Sequence, residues 1–88
     1  MKRALITGIT GQDGAYLAKF LIKKKYKVYG TFRRTSTPNF WRLKYLNILE
    51  KVNLIPSDIL DYASIYQSIK ISKPHEIYNL AAHMFVIL

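Results

Sequence analysis

The chain contains no cysteine, which excludes a disulfide framework and any metal site built on thiolates. No apolar run comes near the roughly 20 residues that span a bilayer. The short hydrophobic stretch at the start, Ala4-Leu5-Ile6, is cut by a glycine-rich turn and does not read as a signal peptide. Acidic residues are also scarce: five against fourteen lysines and arginines, for a net charge of +9. None at all stands between Asp13 and Glu50. One reading of that charge is a nucleic-acid surface. However, no recognised nucleic-acid motif is present, and the aromatics do not alternate with basic residues as on a stacking platform. Lys19, Lys23, Lys24, Lys25 and Lys27 read instead as solvated lysines. These absences leave a soluble, cytoplasmic protein with no nucleic acid and no membrane as partner.

Eighty-eight residues, half of them hydrophobic, make at most one small domain that buries a modest core. Ala4-Leu5-Ile6-Thr7 is an apolar, β-prone run before a glycine, the pattern of a strand covered on both faces. After Gly14, Leu17, Phe20 and Leu21 recur at helical spacing, with Lys19, Lys23 and Lys24 turned outward. A second strand is predicted over residues 27–32, followed by a polar loop over 33–39. Asn39 then caps a helix carrying Phe40, Trp41, Leu43, Leu46 and Leu49. A third strand, 52–56, ends at Pro56. Asp61 is placed to cap a helix with Ile65 and Ile69 inward and Lys70 outward. Pro74 stops that helix, and 76–80 is a fourth strand. Strands alternating with helices at this spacing predict an α/β fold, a Rossmann-like parallel sheet of order 3-2-1-4 with right-handed crossovers. Such a sheet normally carries about six strands. With four, and an apolar end at Met84-Phe85-Val86-Ile87-Leu88, residues 1–88 are expected to be the N-terminal part of a longer protein, its substrate domain absent.

The chemistry concentrates in Gly8-Ile9-Thr10-Gly11-Gln12-Asp13-Gly14. Glycines at this spacing between a strand and a helix are the setting of a dinucleotide's pyrophosphate. Gly8 permits the turn off the strand, Gly11 the approach of backbone to pyrophosphate, and Gly14 the packing of helix on strand. The helix start offers unpaired N–H groups and a positive dipole end. Thr10 and Gln12 sit where donors reach phosphate oxygens. Asp13 is expected to cap the helix and point away from the anion.

NAD-selective sites place an acidic residue after the second strand, about 20 residues past the glycines, on the adenosine ribose. Here Arg33-Arg34-Thr35-Ser36 stands instead. A guanidinium fork matches a phosphate bidentately, so the cofactor expected is NADP, its 2′-phosphate held by Arg34 together with Arg33. After the third strand, Asp58 either accepts from the adenine amino group, with Ile59 adding a backbone contact, or serves as a local cap. Asn79-Leu80-Ala81-Ala82 closes the fourth strand at the switch point where ligands bind. Small Ala81 and Ala82 let the backbone pass close to the cofactor, and His83 reads as a cofactor-edge or exposed residue rather than a general base.

Residues 5–18, Leu-Ile-Thr-Gly-Ile-Thr-Gly-Gln-Asp-Gly-Ala-Tyr-Leu-Ala, resemble the opening of the extended short-chain dehydrogenase/reductases. Gly-Gln-Asp-Gly followed by Tyr-Leu, the Arg33-Arg34 pair, Pro38-Asn39-Phe40-Trp41-Arg42-Leu43, Asp58-Ile59-Leu60-Asp61 and Glu76-Ile77-Tyr78-Asn79-Leu80-Ala81-Ala82 extend the resemblance to the GDP-mannose 4,6-dehydratases over residues 2 to about 86. The resemblance implies an NADP-dependent lyase acting on a nucleotide sugar. It assigns Gly8 to Asp13 to the pyrophosphate, Arg34 to the 2′-phosphate, Asp58-Ile59 to the adenine, and Leu80, Ala81, Ala82, His83 and Met84 to the region toward the nicotinamide. It also implies a homo-oligomer, with the basic 33–44 segment near a subunit contact. Two features depart from the family. His83 and Met84 stand where a polar residue and a serine are usual, and the family's Tyr-x-x-x-Lys pair has no counterpart at its proper place. Tyr66 and Lys70 match that spacing only by coincidence, on a helix before the fourth strand. No catalytic residue is therefore expected within these 88 residues, and no turnover by them alone. A nucleotide-sugar reductase or epimerase, or a non-catalytic basic binding fragment, are the competing readings.

Overall fold

The computed structural model describes residues 1–34, 39–58 and 60–81. The chain runs through β1 (Arg3–Thr7), α1 (Gln12–Lys23), β2 (Lys27–Phe32), α2 (Trp41–Tyr45), a 3-10 turn (Leu49–Lys51), β3 (Val52–Pro56), α3 (Tyr62–Ser72) and β4 (Glu76–Asn79). The four strands form one sheet of order β3-β2-β1-β4, and every pairing is parallel. The register sets Thr7 beside Thr31 on one side and Asn79 on the other, so these three residues share the carboxyl edge of the sheet. Ala4, Leu5 and Ile6 are all buried, as a central strand covered on both faces requires.

The helices follow the predicted order but not always the predicted faces. α1 buries Gly14, Ala15, Ala18 and Leu21. Phe20, expected inward, is 55% exposed, with the Lys24 ammonium 5.3 Å from its ring centre. The buried face of α1 is thus made of small residues and Leu21, and Phe20 lies outside it. α3 shows the same preference. Its buried residues are Ser68 and Ser72, whose hydroxyls donate to the carbonyls of Ser64 and Ser68 at 3.0 and 2.7 Å. With those polar groups satisfied inside the helix, their burial costs little. Ile69, expected inward, is partly exposed. Asp61 caps α3 as expected, its Oδ1 accepting from the Ala63 N–H at 3.0 Å.

The segment after residue 39 departs most from the single helix expected there. Asn39 Oδ1 does accept from the Trp41 N–H at 3.0 Å, but α2 ends at Tyr45, and Asn47 adopts a left-handed φ of 61°. Asparagine tolerates that region. The break lets Leu43 and Ile48 both reach the core, with Leu46 and Leu49 packed at its margin. Phe40 meets Phe32 edge to face, ring centres 5.1 Å apart, fastening this segment to the end of β2.

Candidate functional site

The carboxyl ends of the strands open into a cleft of about 540 Å³, within the rough range of 300–1,000 Å³ found for small-molecule sites. Thr7, Gly8, Thr10 and Gly11 line it from the β1 side, and Thr31 and Arg33 from β2. Ser57, Asp58 and Leu60 close it after β3, with Ile65 and Ile69 of α3 and Leu80 and Ala81 after β4. Ser57, Leu60 and the α3 isoleucines were not expected from the sequence to line a ligand cleft. For Ser57 and Leu60 the signal is that they follow the end of β3, which is where an open parallel sheet places its ligands.

The glycine loop is shaped by close approaches. Gly8 has a φ of +77°, and a Cβ there would stand 2.8 Å from the backbone N and Cα of Ala81. Position 8 therefore needs glycine for both its conformation and its space. A Cβ on Gly14 would run into the Gly8 carbonyl, because α1 starts directly against the end of β1. At Gly11 the nearest atom to such a Cβ is the Gly8 oxygen at 3.6 Å, so this residue faces the open cleft. Ile9 is fully buried; its side chain lies against Gly30 and its N–H donates to the Thr31 carbonyl at 3.0 Å. It anchors the loop, and its side chain does not enter the cleft.

Gly11 is the N-cap of α1, without a side-chain cap. Asp13 lies exposed in the first turn and makes no capping bond, contrary to the expectation from sequence. Asp13 is the second residue of the helix, past the N-cap position, and with no hydrogen bond to the first-turn N–H groups it acts there through its charge. Gln12 is exposed beside it. One further contact escaped the sequence reading: Arg42 Nη1 donates to the Thr10 carbonyl at 3.2 Å. Its sole trace in the sequence is an arginine set between Trp41 and Leu43.

Arg33 and Arg34 are both exposed. Thr31 and Arg33 line the cleft together, whereas Arg34 is not part of its lining. Thr35 and Ser36 lie outside the described residues. Asp58 stands at the cleft and makes the local hydrogen bonds that were one of its two expected roles. Its Oδ1 accepts from the Leu60 N–H at 2.9 Å and its own N–H donates to Ser64 Oγ at 3.1 Å. Leu80 and Ala81 are tied to β1, both N–H groups donating to Thr7 Oγ1 at 3.1 and 3.4 Å. Ile59, Ala82, His83 and Met84 lie outside the described residues.

The pronounced titration effects sit at the other end of the sheet, where Glu76 begins β4. Its carboxylate accepts from the Tyr78 hydroxyl at 2.7 Å and the Tyr26 hydroxyl at 3.0 Å. These two bonds, helped by the charges of Lys2 and His75, hold it below the usual carboxylate range. The same bonds raise both phenols, with burial and the carboxylate charge adding to them. That cluster is structural and remote from the cleft. Among the described residues, no group of three or more His, Cys, Asp or Glu is placed to hold a metal ion, and no helix is long and apolar enough to cross a membrane.

The family described as GDP-mannose 4,6 dehydratase matches residues 5–87. The GDP-mannose 4,6 dehydratase of Drosophila melanogaster is 50% identical over 91 residues, covering 97% of this chain and 23% of that protein. The human GDP-mannose 4,6 dehydratase is 45% identical over 89 residues, covering 94% of this chain and 24% of the other. The chain thus spans about a quarter of the length of the curated relatives it matches. Among solved structures, the Bordetella bronchiseptica enzyme WbmH, in complex with NAD+, superposes with a TM-score of 0.75 at 30% identity, covering 96% of this chain and 27% of that one. A dTDP-glucose 4,6-dehydratase from Bacillus anthracis shares the fold, with a TM-score of 0.76 at 20% identity over 94% of this chain and 27% of the other.

Proposed function

Because this chain belongs to the GDP-mannose 4,6 dehydratase family, we propose that it forms the NADP-holding, N-terminal portion of a nucleotide-sugar 4,6-dehydratase. The substrate proposed is GDP-mannose, converted to GDP-4-keto-6-deoxymannose by oxidation at C4, loss of water across C5 and C6, and return of the hydride at C6. The enzyme is proposed to be cytoplasmic and homo-oligomeric. Its acid and base residues and its sugar-nucleotide domain are proposed to lie outside residues 1–88, so these residues bind and do not catalyse.

One observation carries the cofactor reading: the glycine loop, after β1, and Arg33, after β2, line the same cleft. The residues fit a dinucleotide. The Gly11 position is open where a Cβ would otherwise stand, and the uncapped first turn of α1 presents N–H donors to a pyrophosphate. Asp58 and Leu60 offer an adenine a carboxylate edge and an apolar wall. Leu80 and Ala81, with Ala82, His83 and Met84, are proposed to flank the nicotinamide half. When bound, the dinucleotide supplies hydride exchange with the sugar. The chain's own residues position it and hold its phosphates.

A nicotinamide dinucleotide is supported by the NAD+ complex of WbmH. The choice of NADP rests on this chain's residues: arginines in place of a carboxylate after β2, with Arg33 at the cleft and Arg34 beside it in sequence. Titration of the intact protein with each dinucleotide tests this. Arg33→Ala and Arg34→Ala are expected to weaken NADP by about tenfold or more, since a charge-assisted phosphate contact is lost, and to leave NAD little changed. Equal losses for both cofactors would overturn the NADP reading, and no binding of either would overturn the site. Formation of a 4-keto sugar from GDP-mannose by the intact protein tests the reaction.

A further inference from the structure

We propose that Arg42 is a positioning residue, which fixes the glycine loop in its anion-accepting shape from outside the cleft. The inference rests on reading the cleft as a dinucleotide site. Besides the Gly11 carbonyl, which accepts from the Ala15 N–H as α1 begins, hydrogen bonds hold the loop between Gly8 and α1 at three places. The Ile9 N–H donates to the Thr31 carbonyl at 3.0 Å, and the Gly11 N–H donates to the Gly8 carbonyl at 3.2 Å. The third contact is the Arg42 guanidinium on the Thr10 carbonyl at 3.2 Å. The first two lie within the sheet edge and the loop itself; the third comes from a separate element.

The peptide joining Thr10 to Gly11 explains why that contact matters. A trans peptide is planar, so its carbonyl and its N–H point in opposite directions. Both residues line the cleft. With the Thr10 carbonyl drawn to Arg42, the N–H side of this peptide turns inward to the loop. Were the peptide to rotate, a carbonyl oxygen would face the place where phosphate oxygens belong, and two acceptors would repel each other. A cation holding the carbonyl biases that orientation more strongly than a neutral donor, because a charge-assisted hydrogen bond is roughly twice as strong.

Arg42 is mounted to do this. Its guanidinium lies 4.6 Å from the Trp41 ring centre, a stacking that restrains its plane. Its neighbour Leu43 is fully buried, the Trp41 N–H is held by Asn39, and Phe40 is wedged against Phe32. α2 is thus anchored on the core and follows directly from the segment that begins with Arg33. The Arg42 contact therefore ties Thr10 of the pyrophosphate loop to α2, 32 residues on in sequence.

The test compares ligands that do and do not carry a pyrophosphate, using the intact protein with NADP, NAD and 2′-AMP. Arg42→Ala is expected to weaken NADP and NAD by the same factor, about tenfold, and to leave 2′-AMP almost unchanged. Arg42→Lys, which keeps the charge and one donor, is expected to recover part of the loss. In the unliganded protein, amide hydrogen exchange at residues 9–12 is expected to quicken in Arg42→Ala while the strand amides hold. A loss confined to NADP and 2′-AMP would mean that Arg42 reads the 2′-phosphate directly, and would overturn the positioning role. So would a loss shared by all three ligands that tracks a lowered Tm. Dinucleotide binding unaffected by Arg42→Ala overturns this inference alone. No dinucleotide binding by the unsubstituted protein overturns the cleft reading and this inference with it.

Discussion

The hydroxyl of Thr7 donates to Asn79 Oδ1 at 2.6 Å, across the β1–β4 pair at the carboxyl edge of the sheet. The same oxygen accepts from the backbone N–H groups of Leu80 and Ala81, and with the Thr7 carbonyl, which shares the Leu80 N–H at 3.1 Å, it holds the end of β4 where it passes Gly8. Thr7→Val keeps the shape of the side chain and removes all three bonds. It is expected to cost about 1 kcal/mol of stability, with weaker dinucleotide binding as residues 80 and 81 loosen. Urea denaturation and calorimetric titration read the two effects. Unchanged binding in Thr7→Val would show that the position of residues 80 and 81 does not matter to the ligand.

The glycines of the loop separate into two kinds. Gly14 is required by the fold, since a methyl group there meets the Gly8 carbonyl and stands 3.0 Å from Ile9 Cα. Gly14→Ala is expected to lose about 1–3 kcal/mol. Gly11 has an ordinary φ of −74° and open space before it. Gly11→Ala is expected to cost no more than about 1 kcal/mol of stability, mainly through a poorer N-cap, while weakening NADP and NAD alike. Thermal unfolding beside cofactor titration separates the two. A Gly11→Ala protein with full affinity would argue that pyrophosphate does not approach that backbone.

Ile9 and Gly30 form a lock between loop and sheet. A Cβ at Gly30 would come within 2.6 Å of the Ile9 side chain. Gly30→Ala should therefore overpack and cost about 1–3 kcal/mol, and Ile9→Ala should leave a cavity and cost about 2–5 kcal/mol. The double substitution restores part of the volume in the same place. Its cost is expected to fall short of the sum by about 1 kcal/mol, as measured by a double-mutant cycle in urea. Strict additivity would mean that the two residues do not press on each other.

The Tyr26–Glu76–Tyr78 cluster predicts how stability depends on pH. Glu76 is held below the usual carboxylate range when folded, chiefly by the two phenol hydrogen bonds. Its contribution is therefore complete above the ordinary carboxylate pKa and is lost as pH falls through the lowered folded value. The phenols are raised, chiefly by the same bonds. Their contribution is complete below the ordinary phenol pKa and is lost as pH rises through the raised values. Glu76→Gln should flatten the acid limb of a plot of unfolding free energy against pH, and an acid limb as steep as before would count against the assignment.

Much of the architecture is legible locally. The apolar run before Gly8, the glycine spacing, Asp61 ahead of a helix and the prolines at 56 and 74 each act over a few residues. They predicted the four strands and their parallel order, because strand and helix signals are short-range and a βαβ crossover permits one hand. The inward faces of α1 and α3 were not legible in the same way. Apolar periodicity pointed to Phe20 and Ile69 as well as Leu21, but the buried residues are Gly14, Ala15, Ala18 and Leu21 on α1 and the self-bonded serines 68 and 72 on α3.

The sequence by itself determined the class of the fold, the position of the glycine loop and the lack of a carboxylate after β2, since each depends on residue type and spacing along the chain. Tertiary structure decided which of those residues meet. It set Arg33 rather than Arg34 at the cleft wall, buried Ile9 over Gly30, joined Thr7 to Asn79 across 72 residues and brought Arg42 to Thr10 across 32. Those pairings follow from the register of parallel strands and from the break at Asn47, and neither leaves a periodic trace in the chain. A hydrogen bond between distant residues exists only once the sheet has set their separation and direction.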